Sequence, residues 1–132
     1  MRYLTKLILA LVLTPFLLIG AASGPCVTED ACVVRWLTPS QHDFGTIEQG
    51  KPVTVGFRFK NESPVPIRLE TARSTCGCTA PTWTDAPIAP GAEGEITIEY
   101  DAYHHGRFKK KVMVFFECQR KPFLLYIKGK VD

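Results

Sequence analysis

At 132 residues, with 45% hydrophobic and 22% charged residues, the chain has the size and composition of one globular domain, which excludes a disordered one. Its formal charge is +3, but two of the 16 basic residues, Arg2 and Lys6, fall in a segment expected to be removed. The remaining 14 face 13 acidic residues, a net of +1, so no general attraction to nucleic acid or anionic lipid is implied.

Residues 1–22 read as a secretory signal. Arg2 and Lys6 form its positive start, Leu7 to Ile19 is an apolar run interrupted by Thr14 and Pro15, and Gly20 to Gly24 supplies small residues for cleavage. The run is short against the roughly 20 residues of a spanning helix, so no stable membrane span is expected after cleavage. Pro25 directly before Cys26 argues against a lipid anchor. The chain is therefore expected to be exported, to the periplasm, the cell envelope or the outside, where disulfides persist. Residues 23–40 form an N-terminal extension with little periodicity. Within it, Val33 to Leu37 reads either as a short lead-in strand or as a tail pinned by a disulfide, and the tail is preferred.

The sandwich domain is expected over residues 41–132. Gln41 to Ile47 has the pattern of an edge strand, closed by the turn Glu48-Gln49-Gly50. His42 within it reads as an ordinary strand residue, since no second ligand lies near it in sequence. Val53, Val55, Phe57 and Phe59 alternate with polar residues, which gives a strand with one buried face. Pro64 and Pro66 end it. Ile67 to Thr71 alternates again and leads into Ser74-Thr75-Cys76-Gly77-Cys78-Thr79, the one stretch able to carry chemistry. Trp83 follows and reads as core packing. After the turn at Pro90-Gly91, Ile96, Ile98 and Tyr100 define another strand. Arg107 to Phe116 and Phe123 to Val131 complete the set. No helical period occurs after residue 22, and seven short strands separated by Gly and Pro turns predict an all-β, immunoglobulin-like antiparallel sandwich.

The ordered set of motifs resembles a bacterial domain-of-unknown-function family (number 1573), whose members are similar to the major sperm protein and the ASH/Hydin modules. The matching residues are Asp43-Phe44-Gly45-Thr46-Ile47, Val55 to Asn61, Cys76-Gly77-Cys78-Thr79 with Pro81, and Pro87 to Gly91 with Gly94. Gly106-Arg107-Phe108 and Ile127-Lys128-Gly129 with Val131 complete the match, from about Asp43 to Val131. The resemblance implies a sandwich fold, export, and a binding or scaffolding role with an unknown protein or cell-envelope partner. It supplies no catalytic residues. The chain departs from it in Cys118 and in the added Cys26 and Cys32.

If strands alternate in direction, the turns at 61–66 and 117–122 share one end, and those at 72–80 and 101–106 share the other. Cysteines with Cα atoms more than about 7 Å apart cannot bond without movement. Cys118 is thus expected to pair with Cys32 or Cys26, unless those two pair with each other. The same argument brings His104 and His105 to the end holding Cys76 and Cys78. Two thiolates with one or two imidazoles suit copper or zinc, which would make these four residues a metal site. Alternatively, Cys76 and Cys78 pack as small hydrophobes, or they bond to each other in a small ring open to reduction. A lone C-x-C does not choose among these. Lys109-Lys110-Lys111 could suggest an anionic partner, but in a strand the three side chains alternate faces and make no stripe, so the run reads as a solvated or edge strand. The chain has no nucleophile elbow, zinc-protease helix or acid pair. The expectation is a non-catalytic binding or structural module without a cofactor, with metal binding or thiol redox chemistry as the alternative.

Overall fold

The computed structural model describes residues 32–132, so the proposed signal, the first part of the extension and Cys26 lie outside the described residues. It contains eight strands: β1 (Val34–Trp36), β2 (Gln41–Ile47), β3 (Val53–Asn61), β4 (Leu69–Ser74), β5 (Thr79–Trp83), β6 (Glu93–Tyr100), β7 (Gly106–Phe116) and β8 (Phe123–Val131). They form two four-stranded sheets, in the orders β1-β3-β6-β5 and β2-β8-β7-β4. The immunoglobulin-like sandwich expected from the alternation is present, with one strand more than the seven counted in the sequence.

The extra strand is β1. Only three residues pair, Val34 with Asn61 through Trp36 with Phe59, too few for periodicity to show. What fixes the segment is tertiary: Trp36 packs on Phe59 and Phe123, with centroids 5.5 and 5.7 Å away. The pairing is also not wholly antiparallel. β2 lies parallel to β8, with a register shift between Asp43 and Thr46. A parallel pair requires a long crossover, and here the chain between the two strands supplies it.

The core follows the alternation closely. Phe57, Phe59, Ile96, Ile98 and Tyr100 of one sheet face Leu69, Val112, Val114, Phe116, Leu125, Ile127 and Val131 of the other, all essentially without solvent contact. The layers lock through aromatic pairs, Tyr100 stacked on Phe108 at 4.0 Å and Phe59 against Phe116 edge-on at 5.1 Å. Trp83 is half-buried against this core, as its sequence context suggested.

Asn61, fully buried at the end of β3, organises one end of the sandwich. Its amide donates to the carbonyls of Val65 and Ile88 at 2.9 and 2.8 Å, while its side-chain oxygen accepts from the Ser63 N–H at 2.8 Å. It holds the proline-rich turn to the Pro87–Gly91 loop, where no ladder could.

Candidate functional site

At the Asn61 end, Glu62 N–H donates to Val33 O and Val33 N–H donates to Ser63 Oγ, which brings the entry to β1 beside the β3–β4 turn. The β7–β8 turn lies there too. The sulfurs of Cys32 and Cys118 are 2.12 Å apart with their Cα atoms at 5.5 Å, a disulfide joining residues 86 apart in sequence. Cys26, the other candidate for this pairing, is outside the described residues.

At the opposite end, β4 of one sheet passes to β5 of the other through Ser74 to Cys78. Cys76 and Cys78 are bonded to each other across Gly77, with sulfurs 2.06 Å apart. Ser74 Oγ accepts the Cys76 N–H at 3.3 Å, and the Cys78 carbonyl accepts the Asp101 N–H at 3.1 Å. Thr79, only 4% exposed, has its hydroxyl 3.7 Å from the Cys76 sulfur and 3.8 Å from that of Cys78. Both cysteines are half-buried, while Thr75 and Gly77 are exposed. A side chain at Gly77 would meet no atom within 4 Å outside its two neighbouring cysteines, so the space beside the linking glycine is open.

The two histidines expected to join these sulfurs have other neighbours. His104 stands edge-on to Tyr103, with centroids 5.2 Å apart, and His105 Nε2 faces Asp132 Oδ1 at 4.0 Å. Among the described residues, no group of three or more His, Cys, Asp or Glu side chains is placed to hold a metal ion. In the bonded state neither sulfur is a thiolate, the form a soft metal requires. His42 rests edge-on against Phe44 at 4.6 Å, as an ordinary strand residue.

A second feature emerges only from register. β7 and β8 are interior strands, so their lysines do not protect an edge. Lys109 and Lys111 share the outer face with Arg107, and Lys110 falls on the opposite side of the strand. Across the ladder Arg107 pairs with Lys130, Lys109 with Lys128, and Lys111 with Tyr126. Five cations thus form a stripe that the Lys109–Lys111 run alone did not reveal. Two like-charged pairs stand directly opposite each other, an arrangement that disfavours the sheet. Asp43 on β2 offsets part of this charge, bonded to Lys128 at 3.2 Å, and Asp132 pairs with Lys130. The Asp43 carboxyl is held below the ordinary 3.8, first by the Gly45 N–H and then by Lys128. Asp132 is likewise lowered, chiefly by Lys130.

Farther along the same face the stripe becomes apolar. Met113 pairs with Leu124, which is 41% exposed, and Phe115 lies one ladder step on. Lys109 Nζ sits 5.2 Å from the Tyr126 ring, and the Arg73 guanidinium 5.8 Å from Phe115. The sequence signal for this face is two cationic alternations, Arg107-x-Lys109-x-Lys111 and Lys128-x-Lys130. Their convergence becomes visible only once β7 and β8 are paired.

The family model described as "Protein of unknown function (DUF1573)" matches residues 36–131. No curated protein sequence matches the chain. Among solved structures, a protein of unknown function from Porphyromonas gingivalis W83 is similar at TM-score 0.65 and 14% identity, over 82% of this chain and 51% of that one. This chain therefore spans about half the length of that relative. An ASH/PapD-like domain of human CEP192 is similar at TM-score 0.63 and 10% identity, over 90% of this chain and 96% of that one. The Vibrio cholerae VesB protease contains a similar region, with TM-score 0.56 and 12% identity over 76% of this chain and 32% of that one. At these identities the likeness is one of fold.

Proposed function

The chain belongs to the DUF1573 family of proteins of unknown function, and on that premise we propose that it is an exported, non-catalytic immunoglobulin-like binding module of the bacterial envelope. The observation that carries this reading is the outer face of the β2-β8-β7-β4 sheet. Arg107 stands opposite Lys130 and Lys109 opposite Lys128, and although Asp43 and Asp132 ion-pair with Lys128 and Lys130, the five cations outnumber these two carboxylates, so the excess calls for a counter-charge from outside. An acidic partner provides one. Docking would neutralise the stripe, while Met113, Phe115, Leu124 and Tyr126 supply the apolar and aromatic contacts found at the centres of protein interfaces. This mixture suits an acidic protein surface. Export is supported by the apolar N-terminal run and by two pairs of cysteines at disulfide distance.

Affinity capture from an envelope extract of the producing bacterium, using the wild-type protein and a Lys109→Glu/Lys128→Glu variant in parallel, tests this. A partner retained by the wild type, released by salt and lost by the variant is the expected result. Equal retention by both proteins would remove the stripe from the account.

A further inference from the structure

The Cys76–Cys78 bond is poorly explained as a staple. It closes a loop through a single intervening residue, so it removes little freedom from the unfolded chain. The segments on either side are already fixed, β4 by its ladder to β7 and β5 by its ladder to β6, with the Asp101 N–H bonded to the Cys78 carbonyl. The covalent link therefore adds little order where order already exists. What it does place in the turn between the two sheets is a pair of joined, half-buried sulfurs flanking an exposed glycine.

We propose that Cys76–Cys78 is a redox-active disulfide that oxidises a dithiol partner by stoichiometric thiol–disulfide exchange. A partner thiolate attacks one sulfur along the S–S axis, forming a mixed disulfide. The electron pair of the broken bond leaves on the other sulfur as a thiolate. The Thr79 hydroxyl, 3.7 and 3.8 Å from the two sulfurs, donates a hydrogen bond to whichever one carries the charge. The partner's second thiolate then attacks its own sulfur in the mixed disulfide and releases the remaining cysteine. The partner loses two electrons and two protons and becomes a disulfide. Cys76 and Cys78 gain both and become thiols. Because each strand keeps its own ladder, the fold does not depend on this bond, and the reduced state remains native. Thr79 acts here as a positioning residue.

The test uses the purified, oxidised protein equilibrated in reduced and oxidised dithiothreitol mixtures, after any thiol free at the start has been blocked. Acid quenching, alkylation and peptide mass mapping then read each cysteine pair separately, with Cys32–Cys118 as internal control. We expect Cys76 and Cys78 to reach half-reduction at a dithiol ratio at least about tenfold less reducing than Cys32–Cys118, while far-ultraviolet circular dichroism stays native. Opening of the two pairs together, or of Cys76–Cys78 only on unfolding, overturns the proposal. The rate separates the role of Thr79: Thr79→Val slows exchange about three- to tenfold and Thr79→Ser restores it, as expected for a lost hydrogen bond to a charged sulfur. A Thr79→Val protein exchanging at the wild-type rate removes Thr79 from the mechanism.

Discussion

The two disulfides stand at opposite ends of the sandwich and differ in what they close, which makes their contributions to stability separable. Cys32–Cys118 joins residues 86 apart, whereas Cys76–Cys78 joins residues 2 apart. In the chain-entropy description, the first removes freedom worth about 4.6 kcal/mol from the unfolded chain and the second about 1.6 kcal/mol. The relevant perturbation is a pair of double substitutions, Cys32→Ser/Cys118→Ser and Cys76→Ser/Cys78→Ser. Beyond its loop length, the first also ties the entry to β1 onto the β7–β8 turn, and β1 has only three ladder partners to hold it otherwise. The second leaves β4 and β5 fully paired. Urea unfolding under non-reducing conditions should place the first variant about 3 kcal/mol below the second, a midpoint difference of about 1–3 M. Equal losses, or a larger loss from the Cys76/Cys78 variant, would refute both the entropy argument and the view that the short loop is held by its ladders.

Other outcomes follow from single sites. Asn61→Ala removes three hydrogen bonds and leaves the Ser63 N–H and the Val65 and Ile88 carbonyls without that partner, so it should cost about 2–4 kcal/mol in urea unfolding. Gly129→Ala would set a methyl group 2.9 Å from the Gly45 carbonyl oxygen and from the Phe108 ring, and a loss of about 1–3 kcal/mol is expected in thermal unfolding. Because the Asp43 and Asp132 carboxyls are held below 3.8 in the folded state, their contribution to stability is complete above that pH and disappears as pH falls through their lowered values. Carboxyl NMR titration should give midpoints below 3.8 for both, and Lys128→Ala should move Asp43 upward while leaving Asp132 in place.

Much of the architecture is written in local alternation. Phe57 with Phe59, Ile96 with Ile98, and Val112 with Val114 declare their buried faces because a half-buried strand has a period of two. The positions of the turns are equally legible, since Pro64, Pro66 and the Pro90-Gly91 pair cannot continue a ladder. The lead-in strand is legible only as one of two readings of Val33 to Leu37, because three residues carry no period and Trp36 is fixed by Phe59 and Phe123 from distant segments. The parallel β2–β8 pair, which joins the two ends of the domain, is not legible. The candidate sites divide in the same way. Cys76-Gly77-Cys78 announces itself by composition, but its bonded state and the Thr79 hydroxyl beneath it are matters of three-dimensional placement. The basic face is hidden for a related reason: Lys109 and Lys128 lie nineteen positions apart in the chain and are neighbours only across the ladder.

Amide NMR of the labelled protein, titrated at low ionic strength with polyglutamate as a stand-in for an acidic partner segment, asks whether this outer face receives one. Shifts should concentrate on Arg107, Lys109, Lys111, Lys128 and Lys130, extend to Tyr126, and vanish by about 0.5 M salt. Shifts spread over the β1-β3-β6-β5 face, or none at low salt, would contradict it.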